Sequence, residues 1–322
     1  MENKRIKLSS DLFDKNDVFF KKLSLMHLLE IVLSFLNQKE ILPLRLVCKL
    51  FDQIFKEKWC EKNIIRINPS ITDNEISYFL FIRRISLSAC SNITDEGLSY
   101  LRNIHTIDLS WCSKVTDKGL SYLKGVHTIY LRGSHKITDK GLSYLRNIHT
   151  IDLSWCSKVT DKGLSYLKGV HTIYLRRCDQ ITDEGLSYLK GVHNIDLVLC
   201  THITDKGLSY LKGVDMIYVD FCYNITDEGL YCLKGVHVID LTYCNKITDK
   251  GLSYLKDVYI ISICGCDNIT DIGLCYLTRA KFIDIDGCDN ITDKGLSHLK
   301  DLGICIVKDI KLLVKNNIKK QL

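Results

Sequence analysis

Apolar residues return along this chain in a fixed order and at a fixed interval. One period places apolar side chains at Ile104, Ile107 and Leu109, a cysteine at Cys112, then Val115, Leu120 and Leu123. The phrase (Ile/Val)-Thr-Asp marks the interval. It starts at residues 71, 93, 115, 137, 159, 181, 203, 225, 247, 269 and 291, eleven copies spaced by 22 with no insertion or deletion. A strict period in this range means that each unit is one small supersecondary element stacked on the next. Such a chain is a one-dimensional scaffold, so function is expected on a surface and not in a pocket.

Within the unit, Ile107-Asp108-Leu109 alternates apolar and polar positions and predicts a short strand with one buried face. Thr116 is a natural N-cap, and Asp117 puts negative charge in the first helical turn, where the helix dipole favours it. Leu120 and Leu123 lie three apart on one face of a short helix. Lys124 falls in its last turn, and Gly125 follows as a left-handed cap, a place that Asn103 and Asn147 take in two repeats. The predicted unit is strand, turn, helix, cap. Parallel strands about 4.8 Å apart over ten steps make a sheet on the order of 50 Å long, concave on its open side, with helices on the convex side.

The pattern resembles the cysteine-containing leucine-rich repeat over about residues 63–310. The fold class expected is therefore α/β, a leucine-rich-repeat solenoid. Cys90, Cys112, Cys156, Cys178, Cys200, Cys222, Cys244, Cys266 and Cys288 share one phase, and Ser134 and Asn68 take the same place in other repeats. A small polar group bonding the neighbouring turn explains all three residue types. Metal or disulfide chemistry does not, and no metal or cofactor is expected. A histidine column (His105, His127, His149, His171, His193, His237) reads as a solvated rim at the strand edge. The basic ridge from Arg102 to Lys256 reads as helix-end chemistry.

The first 62 residues do not fit the period. Leu28-Leu29-Glu30-Ile31-Val32-Leu33-Ser34-Phe35-Leu36 has helical spacing, and Ile41 to Phe51 begins a second helix. Residues 23–61 resemble an F-box, through L-L-x-x-I/V-L-x-F-L and then L-R-L-V-C-K before Phe51. Where that family begins Leu-Pro, this chain has Ser24-Leu25. The resemblance implies a small N-terminal α-helical module that binds a Skp-type adaptor through Leu28, Leu29, Val32, Leu33, Phe35, Leu36, Leu46 and Val47. It also implies a cullin–RING ubiquitin ligase whose protein substrate is held by the repeats, a substrate that the sequence does not name. The alternative is a plain interaction scaffold in which these helices only cap the solenoid. The expected organisation is an extension over 1–22, the module over 23–61, the solenoid over 62–310 and a cap and tail over 311–322. The Ile-, Asn- and Lys-rich composition with near-identical repeats is also similar to that of proteins of giant amoeba-infecting DNA viruses.

Composition narrows the rest. A net charge of +6 is mild for 322 residues and does not demand nucleic acid. No apolar run approaches a membrane span, so no membrane partner is expected. The N-terminus shows no secretory pattern, so fifteen cysteines point to a reducing compartment. The expected location is the cytoplasm, a host's if the source is viral, with the nucleus left open.

The expected substrate surface is the outward side of the strands: Asp108, Tyr130, Asp152, Tyr174 and Tyr218 in one column, Arg132 and Arg176 in the next, and Trp111, Trp155, Arg177, Phe221 and Tyr243 in a third. Aromatic residues and Arg dominate interface energetics. Residues 98–132 repeat identically as 142–176, so few of them are individually tuned. No phosphate loop, nucleophile pair or zinc spacing occurs, and no catalytic residue is assigned. The Asp column is read as exposed and without a cleft.

Overall fold

The computed structural model describes residues 64–80 and 82–307. The expected adaptor-binding residues from Leu28 to Val47 and the expected tail over 311–322 lie outside them. Within the described residues, twelve short strands run from Ile65–Arg66 to Cys305–Ile306. They form one parallel sheet in strict sequence order. From Arg84–Ser86 to Phe282–Asp284 each strand pairs with its successor at a register of 22, as in Thr106↔Thr128, Ile107↔Ile129 and Asp108↔Tyr130, while the two end pairs differ, Ile65↔Ile85 and Phe282↔Cys305. No described helix is long and apolar enough to cross a membrane.

Each strand is three residues long in most repeats and turns its middle residue, such as Ile107, inward. Leu109, Cys112, Val115, Leu120 and Leu123 join it, all at 0% exposure. Burying side chains of this size stabilises by roughly 1.5–3 kcal/mol each. The gain is realised only when the next repeat covers the last, because a single unit has no second layer.

The helices are shorter than the spacing of Leu120 and Leu123 suggests. Asp117–Leu120 is one turn, and Leu123 packs from the turn behind it. Lys124 therefore stands after the helix, not in its last turn. Gly125 has φ +92°, but Asn103 and Asn147 do not take positive φ. The space around the glycine is open, so this loop accepts two backbone shapes.

The N-caps form as read: Thr116 Oγ1 accepts from the Lys118 amide at 3.2 Å. The aspartate after each cap does more than balance a dipole. Asp95 Oδ1 accepts from the Thr116 amide at 2.8 Å, Oδ2 from the Thr116 hydroxyl at 2.6 Å, and Oδ1 also from the Gly119 amide at 3.0 Å. The Asp–Thr pairs repeat from Asp73–Thr94 to Asp271–Thr292. These bonds hold the Asp271 carboxyl below the usual range, the Thr292 hydroxyl being the largest cause. Glycine is required beside them. A Cβ at any of the ten helix glycines from Gly97 to Gly295 would sit 2.2–2.6 Å from the preceding aspartate's Oδ1.

The cysteine column lies where the sequence places it. Cys112 Sγ donates to the Leu87 carbonyl at 3.0 Å, and Cys200 Sγ to Leu175 at 3.1 Å. Ser134 makes the same bond to Leu109 at 3.4 Å. Burial pushes the Cys112 and Cys156 thiols up to about 12, so they stay protonated and donate. Each bond gives a second donor to a carbonyl just past the strand one repeat back, which already accepts from a backbone amide of its own repeat, as Leu87 does from Cys90 at 2.9 Å, and it satisfies the buried thiol.

Candidate functional site

The site residues fall into three rows, the first at the last strand position and the other two in the turn beyond it. The first alternates Asp108, Tyr130, Asp152, Tyr174, Asp196, Tyr218 and Asp240. It is less open than its sequence suggests: Asp152, Asp196 and Asp240 are buried, and Asp108, Tyr130 and Tyr174 are half-buried. Strands about 4.8 Å apart let each tyrosine cover the carboxylates beside it. The aspartates also turn back on their own backbone. Asp108 Oδ1 accepts from the Ser110 amide at 3.0 Å, and Asp152 Oδ1 from the Ser154 amide at 2.8 Å. The Asp column is thus a set of turn-forming carboxylates and not an exposed row. Burial, with the nearby carboxylates, pushes the Tyr174 phenol up to about 12 and raises Tyr130. Both stay protonated as donors.

The second row holds the cations. Arg132 Nε lies 3.4 Å from Asp152 Oδ2, and Arg176 Nη2 lies 3.5 Å from Asp196 Oδ2. Each arginine crosses to the next strand's aspartate and is aimed by it. Arg132 is exposed and Arg176 half-buried. At these positions the carboxylate fixes where the guanidinium points, which limits its entropy loss on binding.

The third row is not on the strands. Trp111, Trp155, Arg177, Leu199, Phe221 and Tyr243 occupy the turn beyond the strand, all in the left-handed region with φ between +55° and +66°. This turn continues the ladder. The Trp111 amide donates to Arg132 O at 2.7 Å and the Trp155 amide to Arg176 O at 2.8 Å. The conformation is therefore imposed by stacking, while the side chain at its tip is thrown outward. Trp111 is 47% exposed and Trp155 37%. The row packs along its own length. Trp111 lies over Gly133, the Arg177 guanidinium sits 4.5 Å from the Trp155 ring, and Phe221 stacks on Tyr243 at 4.9 Å. These residues form a rim at the sheet edge instead of a third column on its face.

The open face also carries a group that the sequence reading missed. The first strand position is Thr106, Thr128, Thr150 and Thr172 in the early repeats, then Asn194, Met216, Val238, Ile260 and Phe282. Val238 and Ile260 are buried against Met216, Phe282 and Val307. The drift from threonine to large apolar residues is visible in the sequence once the register is known. A shallow recess of about 950 Å³ opens at the other edge of the sheet, beside Val238 and Tyr259. Its charges are largely engaged, His237 with Asp215 at 2.6 Å and Arg279 with Asp257 at 2.6 Å. Among the described residues no group of three or more His, Cys, Asp or Glu could hold a metal ion.

The family description "Leucine Rich repeat" matches residues 100–124, 144–168, 170–190 and 236–256. No curated protein matches the chain in sequence. Among solved structures, an internalin (inlF) from Listeria monocytogenes is 22% identical, with a TM-score of 0.57, over 74% of this chain and 69% of that one. The TLR13–ssRNA13 complex matches at 15% identity and a TM-score of 0.53, over 70% of this chain and 38% of that one. The Rad7 and Elc1 complex in yeast matches at 13% identity and a TM-score of 0.42, over 91% of this chain and 94% of that one. At these identities the likeness is one of fold. The family description thus matches four stretches of the chain, and the fold they lie in is a parallel-strand solenoid.

Proposed function

We propose that this leucine-rich-repeat chain is a protein-interaction subunit whose partner docks on the open face and on the turn rim from Trp111 to Tyr243. One observation carries the reading. The rim conformation suits glycine, and glycine occupies it at Gly133, Gly265 and Gly287. Six other repeats keep Trp, Arg, Leu, Phe or Tyr there, at a cost of about 1–2 kcal/mol each. Their packing on one another offsets part of that cost, yet large ring areas still face solvent. Strain retained under exposed aromatic and Arg side chains is what a binding surface explains and a stacking role does not. Proximity labelling with the wild type and with Trp111→Ala/Trp155→Ala tests it. Loss of a defined set of labelled proteins supports the reading, and an unchanged set contradicts it.

A finer reading rests on residues 23–61. Their F-box-like sequence supports a substrate receptor of a cullin–RING ubiquitin ligase, with the repeats holding the substrate and the N-terminal segment holding a Skp-type adaptor. Purified full-length chain then captures such an adaptor at micromolar concentration, and a chain lacking residues 1–61 does not. Absence of capture by the full-length chain leaves the plain scaffold.

A further inference from the structure

The edge of the sheet opposite the aromatic rim carries a second, different surface. Five consecutive loops, from Arg102–Thr106 to Lys190–Asn194, hold five Lys or Arg, five His and no carboxylate. The histidines form a continuous stack. Ring centroids of His105, His127, His149, His171 and His193 follow one another at 4.5, 4.5, 4.6 and 4.3 Å, with planes within 15°. Nδ1 of the first four lies 3.1–3.2 Å from the hydroxyl of the next threonine. This leaves Nε2 as the outward nitrogen.

Three residues before each histidine, a cation lies over the tyrosine of the following repeat. Arg102 sits 5.4 Å from the Tyr122 ring, Lys124 5.4 Å from Tyr144, Arg146 5.5 Å from Tyr166, Lys168 5.6 Å from Tyr188 and Lys190 5.5 Å from Tyr210. All five cations are exposed. At one end of the stack Arg83 and Arg84 face His105, and Arg84 also faces His127. At the other, Asp215 is the first carboxylate to enter the row, near His171.

We infer that this flank binds an acidic, extended polypeptide, and binds it more tightly as pH falls below neutral. At neutral pH the partner meets one fixed cation per repeat. Protonation at Nε2 adds a second cation and a donor directed at the partner's carboxylates. Without a partner, stacked imidazolium rings repel one another, so the free protein resists protonation. An acidic chain laid along the row removes that resistance, and linkage makes proton uptake and binding strengthen each other. Single-stranded nucleic acid is the less suitable polyanion. Its non-specific readers offer free aromatic faces to bases, whereas here the tyrosine faces lie under cations and the imidazole faces lie on one another.

The test uses the full chain and a fluorescent Asp-rich peptide followed by anisotropy at low salt. Wild type should bind at least about tenfold more tightly near pH 5.5 than near pH 7.5. Lys124→Ala/Arg146→Ala/Lys168→Ala should lose binding at both values. His127→Asn/His149→Asn/His171→Asn should keep the neutral-pH affinity and lose most of the pH dependence. Asp215 and Tyr259 already stand in the histidine column, so the fold accepts other residues there. Calorimetry of the wild type in two buffers of different ionisation enthalpy gives an independent reading, with net proton uptake expected near pH 6. Equal affinity at the two pH values, no proton uptake, or tighter binding of a single-stranded oligonucleotide of equal charge would overturn the inference.

Discussion

The two edges of one sheet are built by the same repeat and yet differ in kind. From Arg102 to Asn194 the strand-entry edge barely changes: Lys or Arg, then His, in loop after loop, each histidine stacked on the next and each cation over the tyrosine of the following repeat. The strand-exit edge changes at almost every step, through Ala89, Trp111, Gly133, Trp155, Arg177, Leu199, Phe221, Tyr243, Gly265 and Gly287, all at one backbone conformation. Where the backbone demands a residue type and the chain obeys, stacking accounts for the choice. Where the backbone favours glycine and the chain uses Trp or Tyr, packing along the row offsets part of the cost, and the proposed partner is the account of the rest. The uniform edge thus offers one chemical property spread over many repeats, and the varied edge offers shape that differs along its length.

The sharpest way to break the comparison is to remove what both edges share. Gly207→Ala places a Cβ about 2.3 Å from Asp183 Oδ1, against a carboxylate pinned by the Thr204 amide and hydroxyl. A loss of about 2–4 kcal/mol in chemical unfolding is expected. Both binding surfaces should weaken together. A neutral outcome would mean that the Asp–Thr ladder is not what sets the repeat spacing.

A smaller effect is expected between the edges, in the core. Cys200→Leu should overpack the turn and cost about 1–3 kcal/mol, while Cys200→Ser keeps a donor for the Leu175 carbonyl and should cost under about 1 kcal/mol. Equal stability of the two variants would contradict the hydrogen-bonding role of the column.

The smallest effect concerns the histidine edge alone. Burial and neighbouring histidines lower His105, His127 and His171 below the ordinary histidine value. A folded pKa below the unfolded one contributes stability above the unfolded value, near pH 6.5, and loses it as pH falls through the folded value. The melting temperature should therefore drop modestly between about pH 7 and pH 5, and less in His127→Asn. Identical slopes for the two proteins would show that the stack does not titrate in that range.

Much of this was legible in the residues. The 22-residue period, the inward Ile107 and Leu109, the Thr116 cap and the Cys112 bond all follow from local chemistry that needs no third dimension. What was missed depends on the neighbour. Asp95 looks like a dipole partner until Thr116 is placed over it, and Gly119 looks incidental until Asp95 Oδ1 fills the space of its Cβ. The sequence places Trp111 among the outward strand positions. The strand ends at Asp108, and after the buried Leu109 the residues Ser110 and Trp111 form a turn. Asp152 was read as exposed because its cover comes from side chains one repeat away.

The central claim is that the varied edge exists for a partner. Trp111→Gly/Trp155→Gly tests it most directly, since glycine removes the rings and relieves the left-handed strain in one step. The account predicts a melting temperature unchanged or raised, with at least about 2 kcal/mol of affinity lost for the partner identified by labelling. A marked fall in melting temperature with partner affinity intact would show that the tryptophans serve the fold, and would contradict the account.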